Sequence, residues 1–141
     1  MSNILFILLI KVKPVLCIGL AGRDLALFVD ASVRAPAPFL FSALAPARDR
    51  TFTSHAMSPA ALLAACAEAL GAPPPSFVLA IRGERFELGD AMSASARANL
   101  RQAPSFYERL LADLAVGAWN RMAGASATRS PGVGQGFCAR M

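Results

Sequence analysis

The sequence predicts an α/β fold, a single domain with a mostly parallel sheet flanked by helices. Two continuous apolar runs, at 25–29 and 76–81, are typical of strands that are buried on both faces of a parallel sheet. Between them, residues 59–70 are rich in alanine and leucine and long enough for a helix. A strand, a helix and a second strand in this order predict a βαβ crossover.

The most apolar part of the chain comes first. An apolar run at 4–10 is followed by two lysines and a proline before a second run at 15–20. Two ammonium groups near the centre of a membrane span would each cost about 2.5–3.5 kcal/mol, and a signal peptide has its basic residues before its apolar core. We therefore expect two buried strands, or one strand and an irregular segment. A membrane-tethered accessory protein anchored by residues 4–20 is the alternative.

Prolines and caps mark the elements that follow. The proline-rich loop after the first buried strand leaves room for one extended piece around Phe39–Phe41. Ser58 is suited to cap the helix at 59–70, and Gly71 is suited to end it.

The segment after the strand at 76–81 predicts a loop and then a helix. Residues 82–89 alternate charged and bulky side chains without a helical period. Ser93 can cap a helix that runs through Leu100, and Pro104 is expected to kink or restart it. From Gly117 onward the chain is small, polar and glycine-rich. We expect the domain at 1–116 and a disordered tail at 117–141.

Composition excludes wholesale disorder, because 55% of the 141 residues are hydrophobic and only 16% are charged. The net charge is +5, but the arginines that dominate it are spread along the chain rather than gathered into a patch with aromatic residues. No nucleic-acid partner is expected.

The cysteines predict neither a metal ribbon nor a redox motif. Cys17, Cys66 and Cys138 are far apart, odd in number, and form no CxxC pair. A disulfide framework is not expected, and Cys17 and Cys66 are interpreted as buried thiols of a protein in a reducing compartment, the cytoplasm.

Two side chains are candidates for a site. Asp30 ends the apolar run at 25–29, and ligand sites gather beyond the carboxyl ends of parallel strands. His55, the only histidine, precedes the helix at 59–70 and would lie at the same edge. A carboxylate and an imidazole there can bind nickel or zinc. The alternatives are an acid that caps a turn and a solvated histidine.

Two other constellations are weaker. A Ser-His-Asp triad would use Ser32 or Ser54, but the chain has no GxSxG elbow. Glu84 and Glu87 could form a carboxylate pair, although the adjacent arginines favour a solvated charged loop.

Several strings resemble one known family. LFVDAS (27–32), the proline-rich loop, TSHAMSPAALL (53–63), PPSFVLAIRGERFELGD (74–90) and MSASARANL (92–100) occur in the order seen in hydrogenase maturation proteases. The resemblance covers about residues 22–115.

The resemblance implies a parallel-sheet α/β endopeptidase that removes the C-terminal extension of the large-subunit precursor of a nickel-iron hydrogenase. Such proteases act after nickel insertion and recognise the precursor's own nickel through a Glu, an Asp and a His. The Asp corresponds to Asp30 and the His to His55, which are thereby both metal ligands and catalytic residues. The resemblance also implies a cytoplasmic protein, and we expect a monomer.

The sequence departs from the family at its beginning. The family's opening strand, its GxGNxLxxDxGxG-type loop and the helix that carries the Glu have no counterpart here, and no acid precedes Asp24. We therefore expect a fold that is truncated at its N-terminal side relative to the family. A non-catalytic remnant that binds the precursor, or nothing, is the alternative to an active protease.

Overall fold

A computed structural model of the protein describes residues 4–8, 16–48 and 57–128. In chain order, its elements are β1 (Ile4–Leu8), α1 (Leu16–Leu20), β2 (Leu25–Ser32), β3 (Phe39–Leu44), α2 (Pro59–Leu70), β4 (Ser76–Arg82), α3 (Ala94–Ala112) and α4 (Val116–Thr128).

The strands form one mixed sheet in the order β1-β2-β4-β3. β2 pairs in parallel with both β1 and β4, whereas β3 is antiparallel to β4. The α/β class is confirmed, and β2 and β4 are the parallel neighbours that the crossover predicts. β3 runs the other way because only residues 33–38 join it to β2, and a parallel connection needs about a dozen residues or more.

Each face of the sheet is covered by two helices. Alternate residues of β2 and β4, such as Leu27 and Phe77, pack against α3 and α4; we name this side the α3/α4 face. The intervening residues, such as Phe28 and Val78, pack against α1 and α2 on the α1/α2 face. The predicted strands are continuously apolar because both of their faces are buried.

The helix ends follow the predicted caps. The Ser58 hydroxyl accepts a hydrogen bond from the Ala61 N–H at 3.1 Å, and the Ser93 hydroxyl accepts one from the Ala96 N–H at 3.1 Å. Gly71 ends α2 with a φ of 93°, which favours glycine. Pro104 lies inside α3, which continues through it as one helix.

The prediction of a tail from residue 117 is wrong for 117–128, which belong to α4. Trp119 is fully buried. The centroid of its ring lies 5.3 Å from the ring centroid of Phe77 and 6.0 Å from that of Phe41. Its indole N–H donates to the carbonyls of Leu110 (3.1 Å) and Asp113 (3.0 Å). The small residues suggested disorder by composition, but Ala118 and Ala123 are buried in the core cluster on this face of the sheet. Residues 129–141 lie outside the described residues.

The N-terminal expectation needs one correction. β1 is a strand, as expected, but the second apolar run contains the helix α1 rather than a strand or an irregular segment. α1 packs on α2 through Leu20, which is 1% exposed.

The expectation of unbonded thiols is also wrong. Cys17 of α1 and Cys66 of α2 are buried, as predicted, but they form a disulfide, with 5.1 Å between their Cα atoms. The two cysteines are 49 positions apart, so only the packing of α1 on α2 brings them together.

Replacement of Trp119 by alanine tests the packing of α4. Trp119→Ala is expected to lower the free energy of unfolding by about 3–5 kcal/mol, because it removes a buried aromatic ring. The exposed neighbour on α4 provides the control, since Asn120→Ala should stay within about 0.5 kcal/mol of the wild type. Urea unfolding followed by circular dichroism measures both, and equal stabilities of the two variants would contradict the packing of α4.

Candidate functional site

Asp30 lies close to the carboxyl end of β2 rather than beyond it, because the strand continues to Ser32. It is opposite Ala80 of β4 in the parallel register. Strand alternation places it on the same side as Ala26 and Phe28, the α1/α2 face. The carboxyl ends of β2 and β4 therefore meet where Asp30 is located, the edge at which parallel sheets bind ligands.

The environment of Asp30 disfavours its charge. The side chain is half-buried, and this burial raises the pKa of the carboxyl above its ordinary value of 3.8. The Ala31 N–H donates to Oδ1 at 2.8 Å, which opposes the rise and fixes the orientation of the carboxylate. A cation beside the group would offset the cost of burying its charged form.

His55 lies outside the described residues, and so does Ser54. The structure describes the helix that follows them: α2 begins at Pro59 and packs on the α1/α2 face, the face of Asp30. The pairing of Asp30 with His55 stays a prediction.

The β2–β3 loop borders the Asp30 edge and is held by Arg82 of β4. The Arg82 guanidinium donates to the carbonyl of Ala35 at 2.8 Å, and the Arg82 N–H donates to the carbonyl of Pro38 at 3.0 Å. From the α3/α4 face, the Asn99 side chain donates to the Arg82 carbonyl at 3.0 Å. Sequence reasoning placed Arg82 in a solvated loop, because the predicted strand ended at residue 81 and the bond from Arg82 to Ala35 joins positions that are distant in the chain.

Ser32, one candidate nucleophile, supports the same loop. Its hydroxyl accepts hydrogen bonds from the N–H groups of Arg34 (3.1 Å) and Ala35 (3.2 Å). These bonds form a turn of the kind that serine stabilises after a strand. The structure therefore explains Ser32 by a local structural role.

The carboxylate pair is explained in a similar way. Glu84 is exposed and accepts a hydrogen bond from the hydroxyl of Ser95 in the first turn of α3. This bond, together with the Ser93 hydroxyl, lowers the pKa of Glu84. Glu84 thus stays charged at the positive end of a helix, and Glu87 is exposed in the adjoining loop.

Asp30 belongs to no larger cluster of potential metal ligands in the described part of the chain. Within residues 4–8, 16–48 and 57–128, no three His, Cys, Asp or Glu side chains are grouped so that they could hold a metal ion. Asp30 fits the role of one carboxylate ligand to an ion that has further ligands elsewhere.

An apolar groove lies at the same edge of the sheet but on the opposite face. It has a volume of about 250 Å³ and is lined by Val29, Ile81, Leu100 and Tyr107, among others. Val29 adjoins Asp30 in β2, so its side chain is directed to the other face. The groove and the Asp30 carboxylate are therefore separated by the sheet.

Comparison with known proteins identifies no relative of this chain. No protein-family model matches the chain, and neither a curated protein nor a solved structure is significantly similar to it. Among the residues that the structure describes, no helix combines the length and the apolar character needed to cross a membrane.

The raised pKa of Asp30 predicts a pH-dependent stability. The folded state holds the Asp30 proton more tightly than the unfolded chain, so the free energy of unfolding should fall as the pH rises from 3.8 through the folded-state pKa. Asp30→Asn retains the acceptor for the Ala31 N–H but cannot ionise. The stability of the wild type relative to this variant is therefore expected to decrease over that range.

Urea unfolding at a series of pH values measures this difference. Asp113 provides the matched control, because its carboxylate also accepts a backbone N–H, that of Ala115 at 3.0 Å, but in an exposed position. Asp113→Asn should not remove the pH dependence. A wild type that gains stability relative to Asp30→Asn as the pH rises would contradict the burial of the Asp30 carboxyl.

Proposed function

We propose that the chain is a processing endopeptidase that removes the C-terminal extension of a nickel-iron hydrogenase large-subunit precursor after nickel insertion. The observation that carries this proposal is the half-buried, oriented carboxylate of Asp30 at the carboxyl edge of two neighbouring parallel strands. Its support from the sequence is the LFVDAS string, in which Asp30 matches the ligand position of the hydrogenase maturation proteases.

In this function, Asp30 binds the nickel that the precursor carries, and His55 is the second ligand. Carboxylate and imidazole groups are suitable ligands for a borderline divalent ion. The cation compensates for the desolvation that raises the pKa of Asp30, so a site that is costly for a lone charge becomes favourable when the precursor binds. The Ala31 N–H keeps the carboxylate in one orientation.

The reaction is the hydrolysis of one peptide bond. The substrate's nickel polarises the scissile carbonyl or activates a water molecule. Water adds to the carbonyl carbon, the C–N bond breaks, and the leaving amine takes up a proton. The β2–β3 loop, which Arg82 ties to β4, borders the edge where the precursor would bind. The protein is proposed to act in the cytoplasm and as a monomer.

Peptide release from a nickel-loaded precursor tests this function. Mass spectrometry should detect the released extension with the wild-type chain and not with a nickel-free precursor. Asp30→Asn should lower the rate at least about 100-fold, because even groups that only orient a metal ligand are worth roughly 10–100-fold. His55→Ala should have a similar effect, whereas Asp113→Asn should leave the rate unchanged.

The alternative function, precursor binding without hydrolysis, has a distinct outcome in the same experiment. A chain that binds the nickel-loaded precursor but releases no peptide would support that alternative. Release by Asp30→Asn at the parent rate would show that the assigned site is wrong. Neither binding nor release would reject both functions.

A further inference from the structure

The disulfide joins the shortest helix of the described chain to one of the main supports of the sheet. Cys17 belongs to α1, which has only five residues, and Cys66 to the twelve-residue α2. A single helical turn is not stable in water by itself, so α1 depends on its contacts with the rest of the protein.

Two side chains of α1 are buried in the described structure. Leu20 is 1% exposed and packs in the α1/α2 cluster, whereas Ile18 is 73% exposed. The other buried side chain of α1 in the described structure is Cys17 itself. The bond to Cys66 therefore adds a covalent link to the packing of Leu20 against the cluster.

α1 covers apolar surface on the face that carries Asp30. Its two buried side chains share a cluster with Phe28 of β2 and with Leu62 and Leu63 of α2. Residues 21–24 then lead directly into β2. A displacement of α1 would expose part of this cluster and destabilise the start of β2.

The disulfide is largely buried, with Cys17 8% and Cys66 2% exposed, but a cavity borders it. An open cavity of about 90 Å³ lies beside the disulfide and is lined by both cysteines together with Leu70, Gly71 and Pro73. Water occupies about 30 Å³ per molecule in the liquid, so this cavity has room for the sulfhydryl group of a small thiol. It opens at the end of α2, where Gly71 stops the helix.

We infer that Cys17–Cys66 is a reducible clasp, a thiol-exchange site that takes small or protein dithiols and controls the docking of α1 on the sheet. The reductant's thiolate attacks one cysteine sulfur, the S–S bond breaks, and a mixed disulfide forms. The reductant's second thiol then attacks the mixed disulfide and leaves as its own disulfide. The protein gains two electrons and two protons as two cysteine thiols, and oxidised glutathione can reverse the change.

Hydrogen exchange measured by mass spectrometry tests the clasp on the full chain. The background variant is Cys138→Ser, which leaves only the two cysteines of the clasp. After oxidation with glutathione disulfide, addition of dithiothreitol should raise the exchange rate of the amides at 17–24 at least about tenfold, as expected for local opening. The amides of α3 should keep their rates, because α3 packs on the other face.

The matched control removes the bond without a reductant. Cys17→Ser and Cys66→Ser, combined in the same background, should show rapid exchange at 17–24 from the start and no response to dithiothreitol. An intact mass that rises by two hydrogens on reduction establishes that the bond was present and was broken.

Three results would overturn the inference. One is unchanged protection of α1 after complete reduction, since α1 would then be held by packing alone. Another is loss of amide protection throughout the sheet, which would show that the bond stabilises the whole fold rather than α1 alone. The third is failure of the oxidised protein to form the Cys17–Cys66 bond at all.

Discussion

The parallel pairing of β2 with β4 is the contact on which the rest of the structure depends. It places Leu27 opposite Phe77 and Asp30 opposite Ala80, so the central strands present one set of side chains to α3 and α4 and the other to α1 and α2. Because side chains alternate along a strand, a shift of β2 by one residue would exchange the two sets. Asp30 would then point to the other face, where Val29 lines the apolar groove with Leu100 and Tyr107 of α3, instead of lying half-buried on the α1/α2 face.

The edge at Asp30 is supported from both faces by one residue of β4. Arg82 holds the β2–β3 loop through the carbonyls of Ala35 and Pro38, and its own carbonyl accepts the side chain of Asn99 from α3. The guanidinium donates to the Ala35 carbonyl and the backbone N–H donates to the Pro38 carbonyl, so one residue holds the loop at two points. The β2–β3 loop beside Asp30 is therefore tied to β4, and β4 is tied to α3.

The disulfide and the proposed activity meet on the α1/α2 face. In a reducing compartment, disulfides are usually transient and serve redox sensing, so the proposed cytoplasmic location would agree better with an opening and closing Cys17–Cys66 bond than with a permanent one. Cys17 precedes β2 by a single turn of helix and a short connection, and Phe28 shares its cluster. A change at the clasp would thus act on the strand that holds Asp30.

Local rules in the sequence were enough to determine the two central strands, the helix between them, its Ser58 and Gly71 ends, and the place of Asp30 near a strand end. These features depend on apolar runs and on caps, which involve neighbouring residues. The prediction placed the start of a tail at residue 117. It missed α4 because Trp119 holds this helix through contacts with the rings of Phe41 and Phe77, which are distant in the chain. The tertiary structure alone decided the Cys17–Cys66 bond, the pairing of β3 with β4 and the role of Arg82. Each depends on which elements become neighbours, and no spacing along the chain carries that information.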